Sequence, residues 1–537
     1  MGSSPDPVSG PFVNEPFTDF SLEENRVAME AAIARAKASL GAEYPLRIGA
    51  ERIYTAEKIV SVNPGRLGEV VGRVSKADRE LAERAMQAAL AGFETWKRVP
   101  ARERAAVLFR AAALLRERKH DFSAAMLLES GKNYAEADAD TAEAIDFLEF
   151  YAREMIRLSR INETMPLTQA PGETGELRYI PLGVGVVIPP WNFPLAICAG
   201  MTSAAVVSGN AVLLKPASAT PVIAHKFAEL MEEAGLPPGV INYVPGSGAE
   251  IGDYLTSHPK TRFVSFTGSK EVGLHISRLA AEAAPRQIWI KRLVAEMGGK
   301  DGIVVDETAD LDAAAQAIVA SAFGFQGQKC SAGSRAIVVE PVYDEIAAKV
   351  VALTKRLAVG LPERNCAIGP VIDEASYRRI LAYIELGKEE GRLLAGGGPA
   401  EVGRAEGSRT EADSCDGYYI QPTVFADVDG KARLMQEEIF GPVLAIGKAK
   451  DWREAIALYN DTEFGLTGSF FSSDEGRIEE ALETMHCGNL YVNRKCTGAL
   501  VGAHPFGGFN LSGTDSKAGG HDYLLLFTQA KAIAVKK

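Results

Sequence analysis

The stretch "YIPLGVGVVIPPWNFPLAICAGMTSAAVVSGNAVLLKPAS", Tyr179–Ser218, decides the fold. From Tyr179 to Leu214 it carries no charge, a run long enough to span a bilayer. Pro181, Pro189, Pro190, Asn192 and Pro194 interrupt that run, which serves a membrane helix badly. The apolar segments are instead of strand length, then helix length, then strand length again. Val184–Ile188 reads as a buried strand, Leu195–Ser208 as a helix and Ala211–Leu214 as a second strand. Two buried strands joined by a crossover helix are the unit of a parallel α/β sheet.

Downstream the rhythm continues. Helices are expected at Val222–Ala234 and Lys270–Ala283, and strands at Val240–Val244, Arg262–Phe266 and Gln287–Ala295. A second run begins near Asp301, with "GIVV", "RAIVV", "VLAIG", "GSFFS" and "GNLYVN" as its strands. The two runs meet at Gly298-Gly299, a plausible tight passage, and a cleft between two such layers is a usual ligand site. Upstream, three amphipathic helical stretches follow short strands around the Asn63-Pro64-Gly65 turn. Ser75-x-x-Asp78 resembles a capping box that opens a helix bearing Leu81, Ala85, Ala89 and Phe93 on one side. Gly391–Tyr419 is polar in its middle and reads as a loop.

The totals narrow the function classes. The chain has 537 residues, 47% hydrophobic and 24% charged, which is ordinary for a globular protein with ample cores. A net charge of −12 without a Lys/Arg run argues against nucleic acid as a partner. The six cysteines form no CxxC pair and no zinc spacing, so reduced thiols, a cytoplasmic location and no metal are expected. The opening "MGSSPDPVSGPFVNEPF" has no basic-then-apolar leader, and Asp6 breaks the myristoylation pattern.

Four motifs carry candidate chemistry. "RFVSFTGSKEVG" runs from a strand through Gly268-Ser269 into a helix, and "AVLLKPAS" ends a strand with Lys215; strand ends and helix N-termini suit a nucleotide. "GVGVVI" offers only part of a dinucleotide fingerprint, and a glycine turn beside a buried strand explains it better. In "PPWNFPLA", Asn192 is a candidate oxyanion donor, although core aromatics with a turn residue account for the stretch more simply. Glu296 in "LVAEMGGKD" ends an apolar strand, where burial raises a carboxylate toward a useful base; an ordinary strand-terminal Glu is an equal alternative. In "GFQGQKCSAGSR", Cys330 sits among small residues after a helix. A thiolate nucleophile and an inert buried thiol remain equally open there.

Taken in order, "PWNFP", "LLKPA", "FTGS", "EMGGK", "GQKCSA", "EEIFGP" and "PFGGFNLSG" resemble the NAD(P)-dependent aldehyde dehydrogenase superfamily from about residue 45 to the end. The resemblance implies an α/β fold with a Rossmann-like cofactor domain (181–297), a catalytic domain (298–499), an N-terminal part packing on the cofactor domain (1–160), and an oligomerisation arm (161–180) with a tail (500–537). It implies Cys330 as nucleophile, Glu296 as general base, and Asn192 with the Cys330 N–H as oxyanion hole. Lys215, Gly268, Ser269, Glu438 and Phe440 would meet the cofactor. Ser218 stands where many NAD-specific relatives carry Glu, so use of NADP beside NAD is expected.

The 488–520 stretch is similar to the L-glutamate γ-semialdehyde dehydrogenase group. That likeness implies a loop, Thr497-Gly498-Ala499, whose Gly498 and Ala499 N–H groups anchor the substrate carboxylate with the help of Ser331. Phe193 and Phe506 would sandwich its aliphatic stem. Oxidation of glutamate 5-semialdehyde by a homodimer or higher homo-oligomer, without membrane or nucleic acid, is the expectation. Another semialdehyde such as succinate semialdehyde, a cofactor-independent thiol esterase, and a catalytically silent member of the fold stay open beside it.

Overall fold

The computed structural model describes residues 10–402 and 415–536. Asp6 and the polar middle of Gly391–Tyr419 lie outside the described residues.

A seven-stranded sheet has the spatial order Arg292–Glu296, Thr261–Thr267, Val184–Ile188, Ala211–Leu214, Ile241–Tyr243, Leu46–Ile48 and Glu51–Ile53. The first five are parallel, and the last two add an antiparallel edge. Between Val184–Ile188 and Thr261–Thr267 the strand order reverses, so a crevice opens beyond their carboxyl ends. Gly185 lets these two strands pack: a Cβ there would fall 2.1 Å from the Phe263 ring. That contact, and not a phosphate, accounts for the partial glycine fingerprint.

The second seven-stranded sheet has the order Arg392–Ala395, Thr423–Ala426, Val443–Ala449, Gly333–Val339, Asp301–Val305, Thr467–Phe471 and Asn489–Val492. It is parallel apart from its first strand. Away from both sheets, Glu173–Pro181 pairs antiparallel with Thr528–Lys536 as a two-stranded ribbon. Among the described residues no helix is long and apolar enough to cross a membrane. The uncharged stretch forms Val184–Ile188, the helix Ala196–Val207 and Ala211–Leu214, and it is almost wholly buried.

Three details differ from the sequence-based expectation. The strand expected at Gln287–Ala295 begins only at Arg292, because Ile288 and Ile290 stand 83% and 88% exposed outside the sheet. Ser75 is not a helix cap. It ends a strand, its Oγ accepts from the Thr55 N–H (3.2 Å), and Asp78 caps the helix Arg79–Trp96 by accepting from the Leu81 N–H (2.9 Å). The stripe that helix buries is Ala82, Ala85, Met86, Ala89, Gly92 and Trp96, leaving Leu81 and Phe93 half-buried.

One cap is supplied from a distance. The helix Pro221–Glu233 begins with Pro, which suits a first helical position. The buried carboxylate of Glu129, on the helix Lys119–Ser130, accepts from the Val222 and Ile223 N–H groups at 2.8 and 2.9 Å. Burial still pushes Glu129 up to about 7.

Candidate active site

A cavity of about 700 Å³ lies between the sheets. One wall follows directly from strand ends of the first sheet: Pro189–Asn192 after Val184–Ile188, Gly268-Ser269 after Thr261–Thr267, and Met297-Gly298 after Arg292–Glu296. The opposite wall comes from segments that enter strands of the second sheet, namely Cys330 before Gly333–Val339 and Glu437–Phe440 before Val443–Ala449.

Cys330 is presented by an unusual backbone. The helix Leu311–Phe323 is followed by Phe325, Gln326 and Gly327 with φ of 49°, 55° and 68°. Left-handed geometry costs a non-glycine residue roughly 1–2 kcal/mol, so the surroundings must hold the turn. Glycine is required at 327, where a Cβ would lie 2.3 Å from the Gly441 carbonyl oxygen. Gln328, fully buried, is the peg: its Oε1 accepts from the Ile372 N–H (3.0 Å), and its carbonyl accepts from Asn192 Nδ2 (3.0 Å). That last bond ties the Asn192 loop to the Cys330 loop across the cavity. Among the described residues the Cys330 N–H has no protein acceptor, and Asn192 has used one of its two amide protons.

The half-buried Cys330 thiol is pushed up by burial, and then by the carboxylates of Asp301, Glu438 and Glu296. It rests neutral. Positive charge entering the cavity, or protonation of those carboxylates, favours its thiolate.

The two nearest glutamates are treated differently. Glu438 lines the cavity, and its Oε1 accepts from the Gly299 N–H (3.0 Å). Glycine at 298 makes that approach possible, since a Cβ would meet Glu438 Oε2 at 2.1 Å. Burial raises Glu438 to about 7. Glu296, the last residue of its strand, stands off the cavity lining. Its Oε1 accepts a short hydrogen bond from Ser516 Oγ, and its Oε2 accepts from the Gly508 N–H (3.3 Å). Burial pushes it up to about 8, against the opposing effect of Ser516, Gly508 and Lys517.

On the first-sheet side, Ser269 Oγ accepts from the Val272 N–H (3.4 Å) and caps the helix Lys270–Ala281 at the cavity rim. The Gly268 N–H donates to the Glu296 carbonyl (3.1 Å). Phe440, with φ of 56°, meets Trp191 edge-to-face at 5.4 Å and closes the wall between the sheets. Lys215 is buried beside Gly252, and burial pulls its ammonium down to about 8. Ala217, and not the exposed Ser218, is the residue of that loop on the cavity.

The structure thus brings Asn192, Gly268, Ser269, Cys330, Glu438 and Phe440 onto one cavity and places Lys215, Ser218 and Glu296 off its lining. Phe193, Ser331, Gly498, Ala499 and Phe506 are likewise off it. Ser331 is nearly buried, its carbonyl facing Thr467 Oγ1 and Cys496 Sγ. Gly498, with φ of 80°, stands exposed, and among the described residues neither its N–H nor that of Ala499 has a protein acceptor.

Sequence reasoning missed the residues behind these loops. Lys132 and Asp140 are fully buried 3.5 Å apart, and Glu136 pairs with Lys329, the neighbour of Cys330, at 2.7 Å. Charges on or beside a helix that reads as amphipathic give no signal of being buried. Ser516 was also missed, although it lies just past a quoted motif.

The sequence pattern of the Aldehyde dehydrogenase family matches residues 53–533. A 1-pyrroline-5-carboxylate dehydrogenase of Geobacillus sp. (strain WCH70) is 60% identical over 525 residues, covering 98% of this chain and 99% of that protein. A crystal structure of 1-pyrroline-5-carboxylate dehydrogenase from Thermus with bound NAD is similar with a TM-score of 0.94 at 49% identity, covering 98% of this chain and 99% of that one. Proline utilization A from Bdellovibrio bacteriovorus matches with a TM-score of 0.93 at 42% identity, covering 100% of this chain but 54% of that one. The chain belongs to the aldehyde dehydrogenase family.

Proposed function

We propose that this protein oxidises L-glutamate γ-semialdehyde, the open form of 1-pyrroline-5-carboxylate, to L-glutamate with NAD, as the second step of proline degradation. The observation that carries the reading is the Asn192–Gln328 hydrogen bond, which sets a nucleophile and an oxyanion donor on one cavity at the topological switch of a parallel sheet. Near-full-length likeness to 1-pyrroline-5-carboxylate dehydrogenases supports the substrate.

The cavity fits a dinucleotide by its chemistry. Ser269 at a helix N-terminus suits the pyrophosphate, Lys215 the adenosine ribose, and Glu438, cradled by Gly298, the nicotinamide ribose. When bound, the nicotinamide supplies the hydride acceptor and a positive charge near Cys330.

Cys330 gives its proton to solvent and its sulfur attacks the aldehyde carbon. The oxygen becomes an oxyanion held by Asn192 Nδ2 and the Cys330 N–H, an interaction worth about 3 kcal/mol per donor in the transition state. Loss of hydride from that carbon leaves a thioester on Cys330. Glu296 then turns from Ser516, takes a proton from water, and the hydroxyl oxygen displaces the sulfur to release the acid. The free N–H groups of Gly498 and Ala499 suit the substrate α-carboxylate, with Ser331 beside the nucleophile and Phe193 and Phe506 flanking the stem.

Ser218 neither binds a ribose 2′-hydroxyl strongly nor repels a 2′-phosphate, so some activity with NADP belongs to the proposal. So do a cytoplasmic location and a homodimer or higher assembly joined through the ribbon of Glu173–Pro181 and Thr528–Lys536. The test is NADH and NADPH formation with pyrroline-5-carboxylate and with succinate semialdehyde. Clear preference for the first is expected, and equal turnover of the two overturns the substrate assignment.

A further inference from the structure

Lys132 has no role in the chemistry above, yet burying its side chain beside that chemistry is costly. It lies on the short connection between the helices Lys119–Ser130 and Tyr134–Ser159 and is fully buried. Its Nζ makes no hydrogen bond among the described residues. A buried ammonium without donors satisfied is retained only where its surroundings compensate it.

Three groups surround it. The Phe325 ring centroid is 3.9 Å from Nζ and the Phe193 centroid 4.2 Å, both within the range of a desolvated cation–π contact. The Asp140 carboxylate is 3.5 Å away. Farther out, Glu136 and Lys329 are occupied with each other.

The partners are what give Lys132 a direction. Phe325 is the first residue of the left-handed turn that leads to Cys330. Phe193 follows Asn192 directly. Asp140 Oδ1 accepts from the Ala196 N–H (2.6 Å), the first residue of the helix that ends the Asn192 loop. One buried charge therefore touches the start of the cysteine loop, the middle of the asparagine loop and, through Asp140, the end of that loop. The Asn192–Gln328 bond is the only other tie between the two loops described above, and it lies at the cavity itself.

We propose that Lys132 is a positioning residue, a cationic pin that clamps the rings of Phe193 and Phe325 and so fixes the separation of the oxyanion donor Asn192 from the nucleophile Cys330. It acts through these loops and touches no reacting atom. The inference uses the roles of Cys330 and Asn192 in the proposed function but not the identity of the aldehyde.

The test reads Cys330 acylation by p-nitrophenyl acetate, which needs nucleophile and oxyanion donor but neither the semialdehyde nor the cofactor. It reads NADH formation from pyrroline-5-carboxylate beside it. Lys132→Met is expected to slow both by about 10–100-fold through kcat, the scale of a small misplacement of reacting groups, with the cofactor KM within about twofold. Phe325→Leu alone is expected to slow acylation, and to add little in the Lys132→Met background, because both changes release the same loop.

The pair Lys132→Met/Asp140→Asn removes both buried charges and guards against simple misfolding. It is expected to melt no lower than Lys132→Met and to stay slow. Acylation within twofold of wild type in Lys132→Met or in the pair, unchanged acylation in Phe325→Leu, or fully additive losses would each overturn the proposal. Failure of the wild type to oxidise the semialdehyde would sink the substrate assignment alone, since the ester still reads the pin.

Discussion

The two walls of the cavity are built in opposite ways. On the first-sheet wall, each functional segment is the continuation of a strand. Asn192 follows Val184–Ile188, Ser269 follows Thr261–Thr267, and Ala217 follows Ala211–Leu214. None of these residues has a positive φ, and each lies within a few residues of its strand end. On the second-sheet wall, Cys330 follows a left-handed turn, and Phe440 is itself left-handed. That wall is held by side-chain contacts to distant segments: Gln328 to Ile372, Lys132 to Phe325, and Glu438 to Gly299. The first wall therefore tolerates local change, while the second depends on long-range contacts. Substitutions around Cys330 on the second should damage turnover, and those around Ser269 on the first should damage cofactor affinity.

The largest effect expected is at the nucleophile. Cys330→Ala should remove NAD(P)H formation by on the order of 10⁴-fold or more, with cofactor binding by fluorescence titration unchanged. Loss of cofactor binding would mean that the walls are not separable. Next is Asn192→Ala, which sits on the first wall but serves the second. It should lower kcat by about 10²–10³-fold while leaving the cofactor KM in place.

Glu296→Gln should slow the steady state by about 10²-fold, yet keep a first-turnover burst of NADH in stopped flow. A lost burst with a slow steady state would assign Glu296 to acylation instead. Because Glu296 is raised to about 8, the wild-type deacylation rate should climb as pH rises toward 8 and then level. The stability consequence has the opposite slope. A folded-state value above the unfolded one means that the folded protein holds the proton more tightly. This group's contribution is present below its ordinary value of 4.5 and is lost as pH rises through about 8. Melting curves of Glu296→Gln should accordingly fall less between those limits than those of the wild type.

This contrast of walls also explains what was legible in the sequence. Strand, turn and helix succeed one another within a dozen residues on the first wall, so Tyr179–Ser218 declares its fold by pattern alone. "FTGS" likewise places Ser269 at a helix start, where it is found as the cap. Cys330 was ambiguous locally, since nothing in "GFQGQKCSAG" announces three successive positive φ values, and only the order of motifs singled it out. Lys132, Asp140 and Ser516 were illegible for a physical reason. Their meaning lies in partners 193, 56 and 220 residues distant in the chain, namely Phe325, Ala196 and Glu296. The strand misplaced at Gln287 shows the converse: β-branched residues such as Ile288 and Ile290 fit a pleated surface, but no neighbouring strand covers them.

A smaller effect probes the residue behind the first wall. Lys215→Met should raise the cofactor KM by about tenfold, the scale of one charged hydrogen bond, with kcat little changed. A fall in kcat of similar size would show that this wall also sets the chemistry.

The smallest effect expected is the most diagnostic for the link between walls. Glu296 begins on the first sheet but is held away from the cavity by Ser516, which donates to its Oε1 and stabilises the charged form. Ser516→Ala removes a donor to the carboxylate, so the proton is held more tightly and the ascending limb of the kcat profile should move above 8 by a fraction of a pH unit. The same change frees the carboxylate to turn toward the thioester, so the plateau above that limb should be at or slightly above the wild-type rate. A limb shifted to lower pH would mean that the hydroxyl accepts from a protonated Glu296. A lowered plateau would mean that Ser516 orients the base for attack. The direction of one modest shift thus decides which way the Ser516–Glu296 bond runs, and the plateau decides whether the 507–516 segment stores the base or aims it.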